Sequence, residues 1–302
     1  MKAARILAFG GSEVVNIDEV ERPEPGVGQV LIQMRAASIN PVDWKIRAGY
    51  MAQWFPLPQI LGRDGAGDIA AVGAEVTSFK VGDAVYGNPG STFAEFVVAN
   101  AAEIGPKPKS LDYTEAAAVP VGVLTAWSAL FDSANLSAGQ RVLIHGAAGG
   151  VGSLGVQIAK LKGAYVIGTG SAGNEAFIRE LGADEFIDYR STRFEDAAKD
   201  IDVIFDTVGG ETLDRSYAVV KSGGVLVTIA GMPSGKKAAE YGIKAVYAGP
   251  KPTTALLTEI ADLIDSGKLK VHVSKVLPLS DVRQALDLSQ EGHTRGKIVL
   301  KF

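Results

Sequence analysis

The stretch RVLIHGAAGGVGSLGVQIAKLKG, residues 141–163, decides how this chain folds. Arg141 to His145 is a short apolar strand, and the turn Gly146, Ala147, Ala148, Gly149, Gly150, Val151, Gly152 follows it. Val151, Leu154, Val156, Ile158 and Ala159 then carry the apolar spacing of a helix. The three-residue spacing of Gly146, Gly149 and Gly152 has a physical reason at each position: a tight turn, bare backbone against a pyrophosphate, and close helix-to-sheet packing. The Gly150 and Val151 amides then stand at a helix N-terminus, where unpaired N–H groups and the helix dipole favour an anion. The turn is therefore read as the pyrophosphate cradle of a dinucleotide.

Outward from the turn, strands and helices alternate. Ala164 to Gly168, Glu185 to Asp188, Asp202 to Asp206, Val225 to Ile229 and Lys244 to Ala248 read as strands. Glu175 to Leu181, Glu211 to Val219 and Thr254 to Ser266 read as helices. Such alternation implies a doubly wound parallel sheet covered on both faces. Upstream, short strands separated by Gly, Pro and Asp turns (Ala3 to Phe9, Gln29 to Ala36, Gly67 to Val72, Ala84 to Tyr86, Ala94 to Val98) suggest a barrel-like β domain. Leu111 to Leu130 turns helical, with Pro120 kinking or dividing it. The tail, with helix Ser280 to Gln290 and the ending GKIVLKF, resumes the character of the first domain. The expected division is residues 1–120 with 270–302, and 121–269 for the α/β domain.

The far half of a dinucleotide is read about 20 residues after the turn, where a carboxylate would hold the NAD ribose. Here VIGTGSAGN puts Ser171 in that place, with neutral Gly173 and Asn174 and then Glu175 after it. A small hydroxyl leaves room for a 2′-phosphate, which favours NADPH over NADH. Tyr189 and Arg190, after the third strand, are the groups able to reach that phosphate. Val208 and Gly209, Ala230 and Gly231, and Val246 to Ala248 lie near the carboxyl ends of later strands, where an open parallel sheet binds its ligand.

The composition excludes several other classes. Across 302 residues the chain is 47% hydrophobic with a net charge of −4, and no Lys/Arg run marks a nucleic-acid partner. The N-terminus is too short and polar for a signal peptide, and no stretch approaches 18 uncharged apolar residues, so no membrane span and a cytoplasmic location are expected. There are no cysteines, which removes disulfides, thiolate nucleophiles and cysteine-containing zinc sites. His145, His272 and His293 show no metal-ligand spacing and are expected to be structural.

Three stretches spread over the chain, GRDGAGDIAAVGAEVTSFKVGDAVYG, HGAAGGVGSLGVQIAK with LGADEFIDY, and RGKIVLKF, resemble the medium-chain dehydrogenase/reductases, in their zinc-free quinone oxidoreductase and enone reductase branch. The resemblance implies a GroES-like β-rich catalytic domain, a Rossmann domain inserted before its C-terminal tail, an active site in the cleft between them, and a homodimer. Zinc-dependent members carry a Cys and a His where SINPVDWK and LGRDGAG place Asn40 and Arg63. Oxidising an unactivated alcohol needs a Lewis acid, so a metal-free site suits quinones and α,β-unsaturated carbonyls. An acyl-linked enoyl reductase shares the fold, as would a non-catalytic NADPH-binding sensor or structural protein.

By position, the resemblance implies that Asn40 donates its amide to the acceptor oxygen or the carboxamide, and that Lys45 faces a developing oxyanion. Other members have Tyr for Lys45, and a surface lysine and a loop-capping Asn40 are the bland readings. Asp43 is expected to order the loop. Tyr50, Trp54 and Phe55 would line the acceptor pocket or pack the loop. Thr125, in VLTAWSAL, resembles a threonine near the nicotinamide ribose, with helix packing as its other reading. Lys297 matches a position near the cofactor, or is an exposed lysine. Metal analysis of the purified protein is expected to find no stoichiometric zinc; a full equivalent would overturn the metal-free reading.

Overall fold

The longest strand grows from QVLIQMRAASI, whose β-formers place buried residues on both faces over Gln29–Ile39. In the computed structural model, which describes residues 1–302, the elements run β1 (Lys2–Ile6), β2 (Val15–Glu19), β3 (Gln29–Ile39), α1 (Pro41–Arg47), β4 (Gln59–Ile60), β5 (Asp64–Val72), β6 (Ala84–Gly87), β7 (Phe96–Asn100), β8 (Ile104–Pro106), α2 (Tyr113–Ala117) and α3 (Pro120–Trp127). The chain continues through β9 (Arg141–His145), α4 (Gly152–Leu161), β10 (Tyr165–Gly170), α5 (Glu175–Glu180), β11 (Glu185–Asp188), α6 (Phe194–Ala197), β12 (Ile201–Asp206), α7 (Gly210–Ser216), β13 (Val220–Thr228), α8 (Gly235–Glu240) and β14 (Lys244–Tyr247). It closes with α9 (Thr254–Asp265), β15 (Val273–Pro278), α10 (Val282–Glu291) and β16 (Lys297–Lys301).

Two units result: Met1–Val121 with Pro252–Phe302, and Gly122–Lys251. In the first, β3 is the spine, pairing antiparallel with β7 along its first half, with β5 along most of its length and with β16 at its end. The tail strands β15 and β16 pair parallel to each other, with α10 as the crossover between them. In the second unit all strands are parallel in the order β11-β10-β9-β12-β13-β14. Counted from β9 this is 3-2-1-4-5-6, the Rossmann winding. Both faces are covered, so β9 and β12 are buried along nearly their whole length.

Three expectations need correction. The second boundary lies at Lys251, not 269, because α9 packs on β8 of the first unit. There the Tyr86 hydroxyl donates to the Leu257 carbonyl at 2.6 Å, deep in the unit. Next, Tyr113–Ser133 is one 21-residue helical run, long and apolar enough by composition to cross a membrane, yet 78% of its apolar window is buried inside the protein. Pro120 divides it at the start of α3, as its missing N–H dictates. Finally, β2, α6 and α8 escape sequence reading, since VNIDE, FEDA and GKKAAE carry too little apolar periodicity. Tyr86→Phe is expected to cost about 1–3 kcal/mol in urea unfolding, because it leaves the Leu257 carbonyl without its donor.

Candidate functional site

In the second unit, the end of β9 turns at Gly146 in a left-handed conformation (φ 68°), and a Cβ there would stand 2.6 Å from Thr207 Oγ1. At Gly152 a Cβ would lie 2.2 Å from the Gly146 carbonyl oxygen, so the turn closes on itself only through bare backbone. The first amide to join the α4 ladder is that of Ser153, donating to Gly149 at 2.9 Å. The Gly150, Val151 and Gly152 amides therefore lie ahead of the ladder at a helix N-terminus. Such a cradle fits the pyrophosphate of a dinucleotide. Ala147 and Ala148 are buried within the turn, and α3 packs against it, since a Cβ on Gly122 would stand 2.7 Å from the Gly150 carbonyl. Thr125 is buried on that helix.

Two buried groups hold the neighbouring loops: Asp206, which sequence reading missed, and His145, which it expected to be structural. Asp206, at the end of β12, accepts the Val208 and Gly209 amides at 3.0 Å each and the Thr228 hydroxyl at 2.7 Å. The Thr228 hydroxyl in turn accepts the Ala230 amide at 3.2 Å. Val208 is thereby held with its side chain 54% exposed, and Gly231 follows Ala230 at the same edge. His145 is the second: Nδ1 is 3.2 Å from the Thr169 hydroxyl and Nε2 3.1 Å from that of Ser216. Burial pushes its pKa down to about 4, so the ring is neutral and both nitrogens are occupied. The acid closing IDVIFD was the available signal for Asp206: a carboxylate ending a buried strand must find donors.

At the adjacent strand ends, Gly170 of β10 is in register with Asp188 of β11, and the Tyr189 amide donates to the Gly170 carbonyl at 3.2 Å. Ser171, Tyr189 and Arg190 are thus brought together. The Ser171 hydroxyl accepts from the Asn174 amide at 3.2 Å. Tyr189 is exposed, and the Arg190 guanidinium lies 5.8 Å from its ring centroid without a carboxylate partner.

The first unit carries the other predicted residues. Asn40 starts α1: its backbone amide donates to Asp43 Oδ2 at 2.8 Å, and the Asp43 amide returns to the Asn40 carbonyl at 2.9 Å. The Asn40 side-chain amide donates to Asp64 Oδ1 at 2.8 Å and the Ser38 carbonyl at 3.3 Å, while its Oδ1 accepts from Lys297 Nζ at 2.5 Å. Asp64 also accepts the Ser38 hydroxyl at 2.6 Å and the Val121 amide at 2.9 Å, with Lys297 Nζ 3.8 Å away. All these side chains are buried. Lys45 is partly buried on α1, its ammonium 5.7 Å from the Trp44 ring and without an ion pair. Tyr50 and Trp54 are 73% and 64% exposed, and Phe55 is partly buried against the unit's core.

A family model described as an alcohol dehydrogenase GroES-like domain matches residues 26–109, and one described as a zinc-binding dehydrogenase matches residues 181–300. The mitochondrial NAD(P)H oxidoreductase RTN4IP1 of Danio rerio is 34% identical over 324 residues, 91% of this chain and 84% of its own length. The chloroplastic NADPH-dependent alkenal/one oxidoreductase of Arabidopsis thaliana is 34% identical over 316 residues, 99% of this chain and 79% of its own. The solved quinone oxidoreductase from Coxiella burnetii superposes with a TM-score of 0.94 at 34% identity, covering 100% of this chain and 99% of that one. The chain belongs to the medium-chain dehydrogenase/reductase family.

In this medium-chain dehydrogenase/reductase, the side chains of Asn40 and Lys297 meet inside the first unit. The Asn40 side-chain amide is bonded inside the protein, to Asp64 and to the Ser38 carbonyl, and so supports the head of α1. Lys297 is not a surface lysine: it is 6% exposed and bonded to Asn40. Burial pulls its pKa down, against the opposing pull of Asp64 and Asp43. Burial also pushes the Asp43 carboxyl up to about 7, with the Asp64 charge adding to it and the Asn40 amide and the Lys297 and Arg63 charges working the other way. Its Oδ1 has no partner, which suits a proton-bearing acid.

A carboxyl whose folded pKa is raised binds its proton more tightly in the folded state. The stability it contributes is complete below the ordinary carboxylate range, about 4, and is lost as pH rises through about 7. Asp43→Asn keeps an acceptor for the Asn40 amide and cannot ionise. Its Tm is expected to fall less than that of the parent across this window in thermal denaturation at stepped pH, and parallel curves would refute the assignment.

Proposed function

We propose that the protein is an NADPH-dependent reductase of quinones and α,β-unsaturated carbonyls that works without a metal. The observation that carries the reading is the Gly146–Gly152 cradle, which admits no side chain at Gly152 and presents ungathered amides at a helix N-terminus. When bound, the nicotinamide supplies the hydride that adds to the acceptor. Ser171 leaves space beside the ribose, and Tyr189 with the unpaired Arg190 guanidinium forms a recognition pair for a 2′-phosphate. The Arabidopsis relative named for NADPH and for alkenals and enones, and the Coxiella structure named for quinones, support both halves of the proposal.

The donor set on the acceptor side does not suit zinc. Asn40 and Asp64 face a buried lysine ammonium, and a cation held 2.5 Å from Asn40 Oδ1 repels a second one. Lys45 remains as a cation without a counter-ion, placed on a helix whose first turn is locked by Asn40 and Asp43. Its ammonium stabilises the oxygen on which charge develops as the acceptor is reduced. Electrophilic acceptors, which need no Lewis acid, match this chemistry.

Oxidation of NADPH and NADH, followed by absorbance against a panel of quinones, enones, enals and simple aldehydes, tests the reading. Quinones and enones should turn over and simple aldehydes should not. Lys45→Ala is expected to lower kcat roughly a hundredfold with little change in cofactor affinity. Arg190→Ala should raise the KM for NADPH and leave that for NADH in place. Equal use of both cofactors by the parent would remove the phosphate assignment, and unchanged turnover in Lys45→Ala would remove Lys45.

A further inference from the structure

Five arginines in this chain are partly or fully buried: Arg5, Arg47, Arg63, Arg141 and Arg215. Four have carboxylate partners, with Arg5 on Asp18 at 2.5 Å, Arg47 on Asp287 at 3.2 Å, Arg141 on Glu185 at 3.3 Å and Arg215 on Glu195 at 2.5 Å. Arg63 alone has neither an ion pair nor a hydrogen bond from its guanidinium. Arg63 is half-buried with its nitrogens still reached by solvent, so an unpaired, positioned fork stands open to an incoming anion.

The position of Arg63 is set by its surroundings. Its neighbour Asp64 is in register with Ser38 of β3, so Arg63 stands where β3 ends and α1 begins, beside the Asn40 that caps the helix bearing Lys45. The Arg63 carbonyl takes the Gly90 amide at 3.0 Å. Gly90 itself leaves room for the guanidinium, since a Cβ there would stand 3.3 Å from Nη1. The Phe55 ring centroid lies 5.6 Å from the guanidinium carbon, which covers one side of it with an aromatic surface. The result is a held cation with a free planar fork, in the same unit as Lys45.

We propose that Arg63 is a specificity-determining residue that receives a carboxylate carried by the acceptor, so that the preferred substrates are enones bearing an acid group. The inference rests on the acceptor site proposed above. A guanidinium fork pairs with a carboxylate through two parallel N–H···O bonds, whereas the single-point ammonium of Lys45 suits one developing oxyanion. The two cations thereby divide the work: Arg63 orients the acceptor by its acid group and Lys45 meets the reacting oxygen.

A γ-oxo-α,β-unsaturated carboxylate and its methyl ester form a matched acceptor pair for the test. The parent is expected to favour the acid by tenfold or more in kcat/KM, carried mainly by KM. Arg63→Met should bring the ratio to about one, and Arg63→Lys should keep part of it. Calorimetric binding of the saturated oxo-acid and its ester to the NADP⁺-loaded protein reads the same preference without turnover. If neither acceptor is reduced while the acid binds more tightly and Arg63→Met erases the difference, the reductase reading fails and the carboxylate site stands. Equal binding of acid and ester by the parent, or a preference that survives in Arg63→Met, overturns the site.

Discussion

Asp64 is fully buried, and both its oxygens are in use. Through them it gathers the Ser38 hydroxyl on β3, the Asn40 amide at the head of α1 and the Val121 amide in the first turn of α3, with Lys297 of β16 facing it. A buried carboxylate is tolerable only when donors and an opposite charge surround it, and here they come from four separate parts of the chain. Removing Lys297 would strand the acid, and removing the acid would strand the lysine. The cluster therefore ties the C-terminal strand to the spine of the first unit by more than its ladder.

The second unit uses the same device on a different loop. Asp206 ends β12 and organises the Val208 and Gly209 turn through two amides and the Thr228 hydroxyl. The neutral ring of His145 joins β9, β10 and α7 beneath the glycine-rich turn through Thr169 and Ser216. In both units a polar group at the end of a buried strand cannot stay unpaired, and satisfying it sets the loops on which ligand-facing residues sit.

This economy of donors has a chemical consequence. Asn40, Asp43 and Lys297 are engaged with one another and hold the head of α1. The groups left over are cations: Lys45 and Arg63 in the first unit and Arg190 in the second, none with a carboxylate partner. A nicotinamide-dependent reductase of the kind proposed meets negative charge at its cofactor and on the acceptor oxygen, and unpaired cations are suited to answer it.

Much of this was legible before any coordinates. The 3-2-1-4-5-6 winding follows from apolar runs alternating with helical periodicity, and the dinucleotide turn follows from glycines that no other residue can replace at Gly146 and Gly152. The limit of the second unit at Lys251, the role of Asn40 and the burial of Lys297 were not. Asn40, Asp64 and Lys297 lie far apart in the chain, and a side chain's hydrogen-bond partners depend on strand register, which local periodicity does not encode. By itself the sequence determined the parallel sheet, the cofactor turn and the absence of cysteine ligands, because those are matters of residue type and spacing. Only the tertiary structure decided which polar groups are consumed in the interior and which remain free to act, because that depends on what each one meets after the strands have paired.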